Sequence, residues 1–246
     1  MLSEERMKII KRFAPLTAII IILLVIVFII LKYEVEGEKN MPFKLTKISM
    51  VSTANGIPNE ETTDRWNFNL VQNNDLYFTF EKNKEVKEVT YIKRIALENI
   101  NILTKPTKGK TYFYSPSKEA VDWYDNNEAY RIEYKMEFLG TPEANVKELE
   151  VGNQGGIVGI RYAIEDLGIY ISEEDEIKHD GLLLKSIGVL EEELKSTIEF
   201  DLVVEINTGI KYKAHIIKDL PNGNVLEEGI SKTEETEINN IVFKRF

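Results

Sequence analysis

The chain has 246 residues, with 31 Lys and Arg against 41 Asp and Glu, a formal net charge of −10, and no cysteine. The acidic balance argues against nucleic acid or an anionic lipid surface as a partner, since either requires a basic patch. Without thiols there are no disulfides, thiolate metal sites, lipid-modified cysteines or cysteine nucleophiles, so the fold rests on its apolar core.

Residues 1–12 form a short tail carrying Arg6, Lys8, Lys11 and Arg12 against Glu4 and Glu5. From Phe13 to Leu31 the chain is uncharged and dominated by Ile, Leu, Val and Phe, with Pro15 and Thr17 as the interruptions. A helix over this stretch rises about 28 Å, close to the roughly 30 Å hydrocarbon core of a bilayer, and satisfies its backbone polar groups internally. Lys11, Arg12 and Lys32 flank the segment and can snorkel to the two interfaces. The Lys/Arg bias of the tail predicts that the N-terminus stays in the cytoplasm and that everything after Leu31 lies outside the cell. The competing reading is a cleaved secretory signal near Val35-Glu36-Gly37. Signal-peptide cores run to about 7 to 15 apolar residues, so this longer one favours a retained signal anchor.

A polar stalk follows over residues 32–41, and then apolar and polar residues alternate with period two, the pattern of strands that turn one face to a core. Expected strands run over 43–53, 66–71, 76–81, 89–95, 99–104, 110–114 and 130–139. In the last of these Tyr130, Ile132, Tyr134, Met136 and Phe138 share one face. After Thr141-Pro142-Glu143 a second set is expected over 148–151, 156–164, 168–171, 182–187, 197–206, 210–218 and 237–246. Leu190–Leu194 reads as a helical turn, and Lys118–Tyr124 as another. Asn73-Asn74-Asp75, Asn207-Thr208-Gly209 and Pro221-Asn222-Gly223-Asn224 are turn signals, because these residues tolerate positive φ.

Short strands separated by frequent turns indicate an all-β ectodomain of sandwich architecture. The division expected is two tandem immunoglobulin-like antiparallel β-sandwiches, over residues 42–141 and 142–246; one larger sandwich is the alternative. The runs Asn153-Gln154-Gly155-Gly156, Leu167-Gly168-Ile169-Tyr170-Ile171-Ser172, Lys178-His179-Asp180-Gly181 and Asp219-Leu220-Pro221 resemble uncharacterised membrane-anchored extracytoplasmic proteins of clostridia-type bacteria. That resemblance covers mainly the C-terminal third. It implies an envelope location and carries over no functional residue.

Candidate sites are few. Asp175, Glu176 and Asp180 belong to an acidic run whose carboxylates suit calcium, although the spacing is not that of an EF-hand and a solvated loop has the same composition. Trp123, Tyr124 and Asp125 have the composition of a sugar-stacking loop, where flat rings meet pyranose faces and carboxylates bind hydroxyls; capping of a sandwich end is the plainer reading. His179 and His215 are the only histidines, and His215 is expected on the polar face of its strand. Compact catalytic signatures such as HExxH, GxSxG, a P-loop or a dinucleotide fingerprint do not occur. The reading that follows is a membrane-anchored binding or interaction protein of the bacterial cell envelope. It is held by the lipid bilayer through residues 13–31, meets an envelope protein or cell-wall partner, and requires no cofactor other than the calcium just considered. The alternative is an anchored hydrolase or carbohydrate-binding protein acting on cell-wall sugars.

Overall fold

A computed structural model describes residues 4–59, 65–87, 90–117, 124–139, 155–172, 182–238 and 240–246. The expected helical turn at 118–124, except Tyr124, and the expected strand at 148–151 lie outside them. The first element is one long helix, α1 (Glu4–Asn40). It contains the apolar stretch Phe13–Ile30, none of which is buried inside the protein. One N-terminal helix is therefore long and apolar enough to cross a membrane.

Beyond the helix the described residues are mostly strand: β1 (Phe43–Pro58), β2 (Trp66–Lys82), β3 (Ile92–Thr104), β4 (Lys110–Tyr114), β5 (Arg131–Ile132), β6 (Lys135–Leu139) and β7 (Gly155–Ser172). Two short helices follow, α2 (Leu182–Ser186) and α3 (Glu191–Leu194), then β8 (Ser196–Ile206), β9 (Lys211–Leu220), α4 (Val225–Glu228), β10 (Ile230–Glu235) and β11 (Lys244–Arg245). The strands make two antiparallel sheets, β10-β1-β2-β7-β4-β5 and β11-β9-β8-β3-β6.

Both sheets draw strands from either side of Pro142: β2 pairs with β7, β1 with β10 and β3 with β8. The expected division into one sandwich before Pro142 and another after it therefore gives way to a single interleaved arrangement. The chain crosses repeatedly from one sheet to the other, and the inward faces share one apolar core. Phe78 of β2 meets Phe200 of β8 edge-on at 5.5 Å, Phe80 meets Phe243 at 6.2 Å, and the Tyr162 hydroxyl lies 3.0 Å from Ser196 Oγ. Period-two alternation cannot distinguish the two layouts, because it reports which residues face a core and not which strands share one.

Local departures from the expected elements have identifiable causes. The strand expected over 130–139 divides at Glu133-Tyr134, so that β5 closes one sheet and β6 the edge of the other; Met136 and Phe138 are buried, while Tyr134 is exposed. Residues 182–187, expected as a strand, form α2, with Leu183 and Leu184 buried. The strand expected over 237–246 contracts to β11. The pairs expected at 89–95 and 99–104, and at 156–164 and 168–171, are each one continuous strand interrupted by a bulge. Asn99 takes φ of 56° at the first, and Asp166 and Gly168 take 57° and 150° at the second. The β8–β9 hairpin and the helical turn at 191–194 form as expected.

Candidate functional site

The most polar buried region of the described residues lies where the sequence signals a turn. Asn73-Asn74-Asp75 does not turn: it runs through the middle of β2, and all three side chains are buried. The strand alternates, so the amides of Gln72 and Asn74 face inward and the side chains of Asn73 and Asp75 face the outer side of the sheet. Inward, Gln72 and Asn74 bond each other at 2.7 and 2.9 Å, and Ser52 Oγ donates to Asn74 Oδ1 at 2.7 Å. The Asn222 N–H in turn donates to Ser52 Oγ at 2.8 Å. These groups satisfy one another, as a polar patch inside a core must.

On the outer side, Asp75 stands directly opposite Arg161 of β7. The guanidinium donates to both carboxylate oxygens, Nε to Oδ1 at 2.6 Å and Nη2 to Oδ2 at 2.8 Å. Both side chains are nearly enclosed, at 12 % exposed for Arg161 and 9 % for Asp75. Asn126 lies over the pair: its Oδ1 accepts from Arg161 Nη1 at 2.8 Å, and its Nδ2 donates to Asn73 Oδ1 and Glu165 Oε1 at 3.0 and 3.1 Å. Tyr114 of β4 donates to the same Glu165 oxygen at 2.6 Å and accepts from Arg131 Nε at 3.2 Å. Arg131 also stacks over the Tyr112 ring at 3.9 Å, and Arg161 over the Tyr124 ring at 4.9 Å.

The electrostatics follow from this enclosure. Burial alone would lower the Arg161 pKa, but the hydrogen bond and charge of Asp75 outweigh it and hold the guanidinium firmly ionised. Burial, reinforced by the hydrogen bond to Glu165, pushes the Tyr114 hydroxyl up to about 12. Burial, with the nearby Asp75 charge, raises Tyr124 well above the usual phenol range. Both phenols are therefore neutral at physiological pH and cannot act as bases, while Asp75 is clamped on both oxygens. The cluster fastens the 124–132 segment onto the sheet face.

The expected site residues fall in different places. Tyr124 is buried at 5 % exposed, its ring between Arg161 and Tyr77, so it presents no open face to a sugar. Asp125 beside it is exposed, and Trp123 lies outside the described residues. Asp175, Glu176, Asp180 and His179 also lie outside them. Among the described residues no group of His, Asp and Glu could hold a metal ion. Lys11, Arg12 and Lys32 fall within α1, bracketing its apolar stretch.

His215 occupies the polar face of β9 as expected. Its Nδ1 is 3.0 Å from Asp201 Oδ1 and its Nε2 3.4 Å from Glu199 Oε2. A carboxylate thus lies beside each ring nitrogen, and only the Nδ1–Asp201 contact is a hydrogen bond. The cluster residues that sequence reasoning passed over are Arg161 and Glu165; Asp75 was expected in a turn and Asn126 in the sugar-stacking loop. A signal existed for Arg161, the one cation of β7, set between Ile160 and Tyr162 in an apolar run.

A third feature is apolar. At the end of β1, β2 and β7 farthest from the helix, Ile57 lies opposite Asn69, Asn69 opposite Ile169, and Asn67 opposite Ile171, all on the outer side. Ile169 and Ile171 are 54 % and 50 % exposed, and Trp66, stacked on Phe68 at 5.8 Å, is 41 % exposed. Comparison with protein-family models, curated proteins and solved structures finds no match to this chain.

Proposed function

We propose that the protein is a single-pass binding module of the bacterial cell envelope, its short tail in the cytoplasm and its β-region outside, contacting another envelope protein or the wall. The observation that carries this reading is the apolar rim formed by Ile57, Ile169 and Ile171 on the outer face of the sheet. Exposed apolar side chains grouped on one sheet face are a mark of interaction surfaces. The rim is well placed for reach: β1 leaves the helix at Phe43 and ends at Pro58, a span of about 50 Å at roughly 3.3 Å per residue. Binding is favoured over catalysis because the charged groups of the Arg161 cluster are committed to one another and both nitrogens of His215 face carboxylates.

The test is affinity capture of the full chain from intact membranes, with the Ile169→Asp/Ile171→Asp variant as control. The expected result is one stoichiometric partner retained by the wild type and lost by the variant. Equal recovery by both refutes the rim as the binding surface. Trp66 gives the carbohydrate reading its one foothold, an exposed ring stacked on a second ring. Quenching or a blue shift of tryptophan fluorescence on adding soluble wall fragments, lost in Trp66→Ala, would favour that reading over a protein partner.

A further inference from the structure

A sheet exposes hydrogen-bonding groups along its outermost strands, and those groups recruit further strands unless the edge is short, charged or covered. Of the four edge strands described, β5 and β11 have two residues each. β6 has five, with Lys135, Glu137 and the neighbouring Arg94 paired on its outer face. The longest edge is β10, six residues beside β1. The Ala54 N–H donates to the Gly229 carbonyl at 2.8 Å, and bonded pairs of an antiparallel ladder recur at every second residue. Ser231, Thr233 and Glu235 therefore turn their backbone groups to β1. Ile230, Lys232 and Glu234 turn theirs to the open side, where no described residue takes them.

The same three residues share the outer face of the sheet. They stand opposite Thr53, Val51 and Ser49, and Val51 is in turn opposite Asp75. Ile230 is 56 % exposed, and the side chains of Lys232 and Glu234 are 61 % and 43 % exposed. Charges of both signs already neighbour them. Glu234 lies 3.4 Å from Lys232 on its own strand and 3.4 Å from Lys47 on β1, the side away from the open edge. Glu235, on the other face, holds Lys218 at 2.6 Å. Exposed pairs of this kind are weak, so Lys232 and Glu234 stay available to a strand laid beside them.

An incoming antiparallel strand sets one side chain directly opposite each of the three, about 4.5–5.5 Å away between Cβ atoms. Read from its own N-terminus, it meets Glu234 first, Lys232 two residues later and Ile230 two residues after that. Complementarity asks for a basic, an acidic and an apolar residue at those positions, while the reverse order of charges sets like against like. Direction narrows the partner further. β1 leaves α1, so β10, antiparallel to it, runs back towards the helix, and the newcomer runs away from it. An extended segment that follows an N-terminal membrane anchor has that direction; the β10 strand of a second copy in the same membrane has the opposite one.

We infer that β10 is the docking edge for an extended segment of another membrane-anchored chain, which adds an antiparallel strand to the sheet and carries the pattern basic-x-acidic-x-apolar. Strand addition takes its affinity from main-chain bonds and its specificity from alternate side chains. The inference rests on the proposed anchored binding module and states the chemistry of its partner; it uses a surface separate from the apolar rim.

The probes are two fluorescein-labelled peptides, Thr-Lys-Thr-Glu-Thr-Val-Thr and its charge-swapped form Thr-Glu-Thr-Lys-Thr-Val-Thr. They are titrated with the full chain in detergent micelles and read by fluorescence polarisation. The first should bind about ten-fold more tightly, from two cross-strand charge pairs that change sign. Lys232→Glu/Glu234→Lys should reverse that preference. Lys232→Pro should abolish binding of both peptides at an unchanged melting temperature, because the N–H it deletes faces away from the ladder. Ile169→Asp/Ile171→Asp should bind the peptides like the wild type. Binding of neither peptide, or equal binding of both, overturns the docking edge; a partner still captured through the rim then leaves the binding module standing. Self-association of the full chain that Lys232→Pro abolishes would give the edge to a second copy and overturn the proposed partner.

Discussion

Removing Arg161 is the most informative single perturbation of the β-region. Arg161→Met keeps the length and apolar stem of the side chain but deletes two hydrogen bonds to Asp75, one to Asn126 and the contact with the Tyr124 ring. Asp75, 9 % exposed, is left as a buried carboxylate without its counter-charge. Breaking an enclosed pair by removing one partner costs about 3–5 kcal/mol, a large share of the roughly 5–15 kcal/mol that holds a domain together. For a domain of this size that corresponds to a fall in Tm of about 6–20 °C. Replacing both partners, Asp75→Leu with Arg161→Met, removes the unpaired charge as well, and the double variant is expected within about 2 kcal/mol of the wild type. The assay is a double-mutant cycle by urea unfolding of the full chain in detergent. A loss below about 1 kcal/mol for Arg161→Met, or additive losses in the double variant, would refute the claim that this pair is enclosed and mutually dependent.

Three further outcomes follow from the same reasoning. Phe78→Ala and Phe200→Ala should each cost about 3–5 kcal/mol and combine non-additively, because the rings touch across the two sheets; additive effects in urea unfolding would separate the sheets into independent cores. The hydrogen bond from Lys93 holds the Glu205 carboxyl below its ordinary value of 4.5, against burial and with help from the charges of Lys93, Arg94 and Lys211. Its contribution is thus complete above pH 4.5 and lost as pH falls through the lowered value, so Glu205→Gln should flatten the acid side of the stability profile; an unchanged acid limb would contradict this. The Tyr114 hydroxyl, raised to about 12, contributes fully below pH 10 and loses its contribution as pH rises from 10 through about 12. Alkaline titration monitored by phenolate absorbance should therefore show two tyrosines ionising near 12, Tyr114 and Tyr162, of which one disappears in Tyr114→Phe.

Features that depend on local pattern were legible in the sequence. The apolar stretch of α1 and the β8–β9 hairpin, with Gly209 at φ of 84° in its turn, are specified by runs of neighbouring residues. Features that depend on distant partners were not. Asn73-Asn74-Asp75 has turn chemistry, yet remains extended because Ser52, Gln72, Asn126 and Arg161 supply from elsewhere the bonds that a turn would supply locally. Leu182–Ser186 became helical because Leu183 and Leu184 are buried adjacent residues, which alternation would have placed on opposite faces. Similarly, Tyr130–Leu139 alternates without interruption but supplies edge strands to two sheets, a division set by the neighbours of β5 and β6. The Arg161 cluster is a property of cross-strand register, assembled from β2, β4, β7 and the 124–131 segment, and no single stretch announces it.

The measurement that tests the account most directly is cysteine accessibility in right-side-out membranes, which the cysteine-free background makes clean. A membrane-impermeant maleimide should label Ile171→Cys in sealed vesicles and label Ser3→Cys only after permeabilisation, with both proteins resisting alkaline extraction. The reverse labelling pattern, or release of the chain by alkali, would contradict an anchored protein that presents its β-region outside the cell.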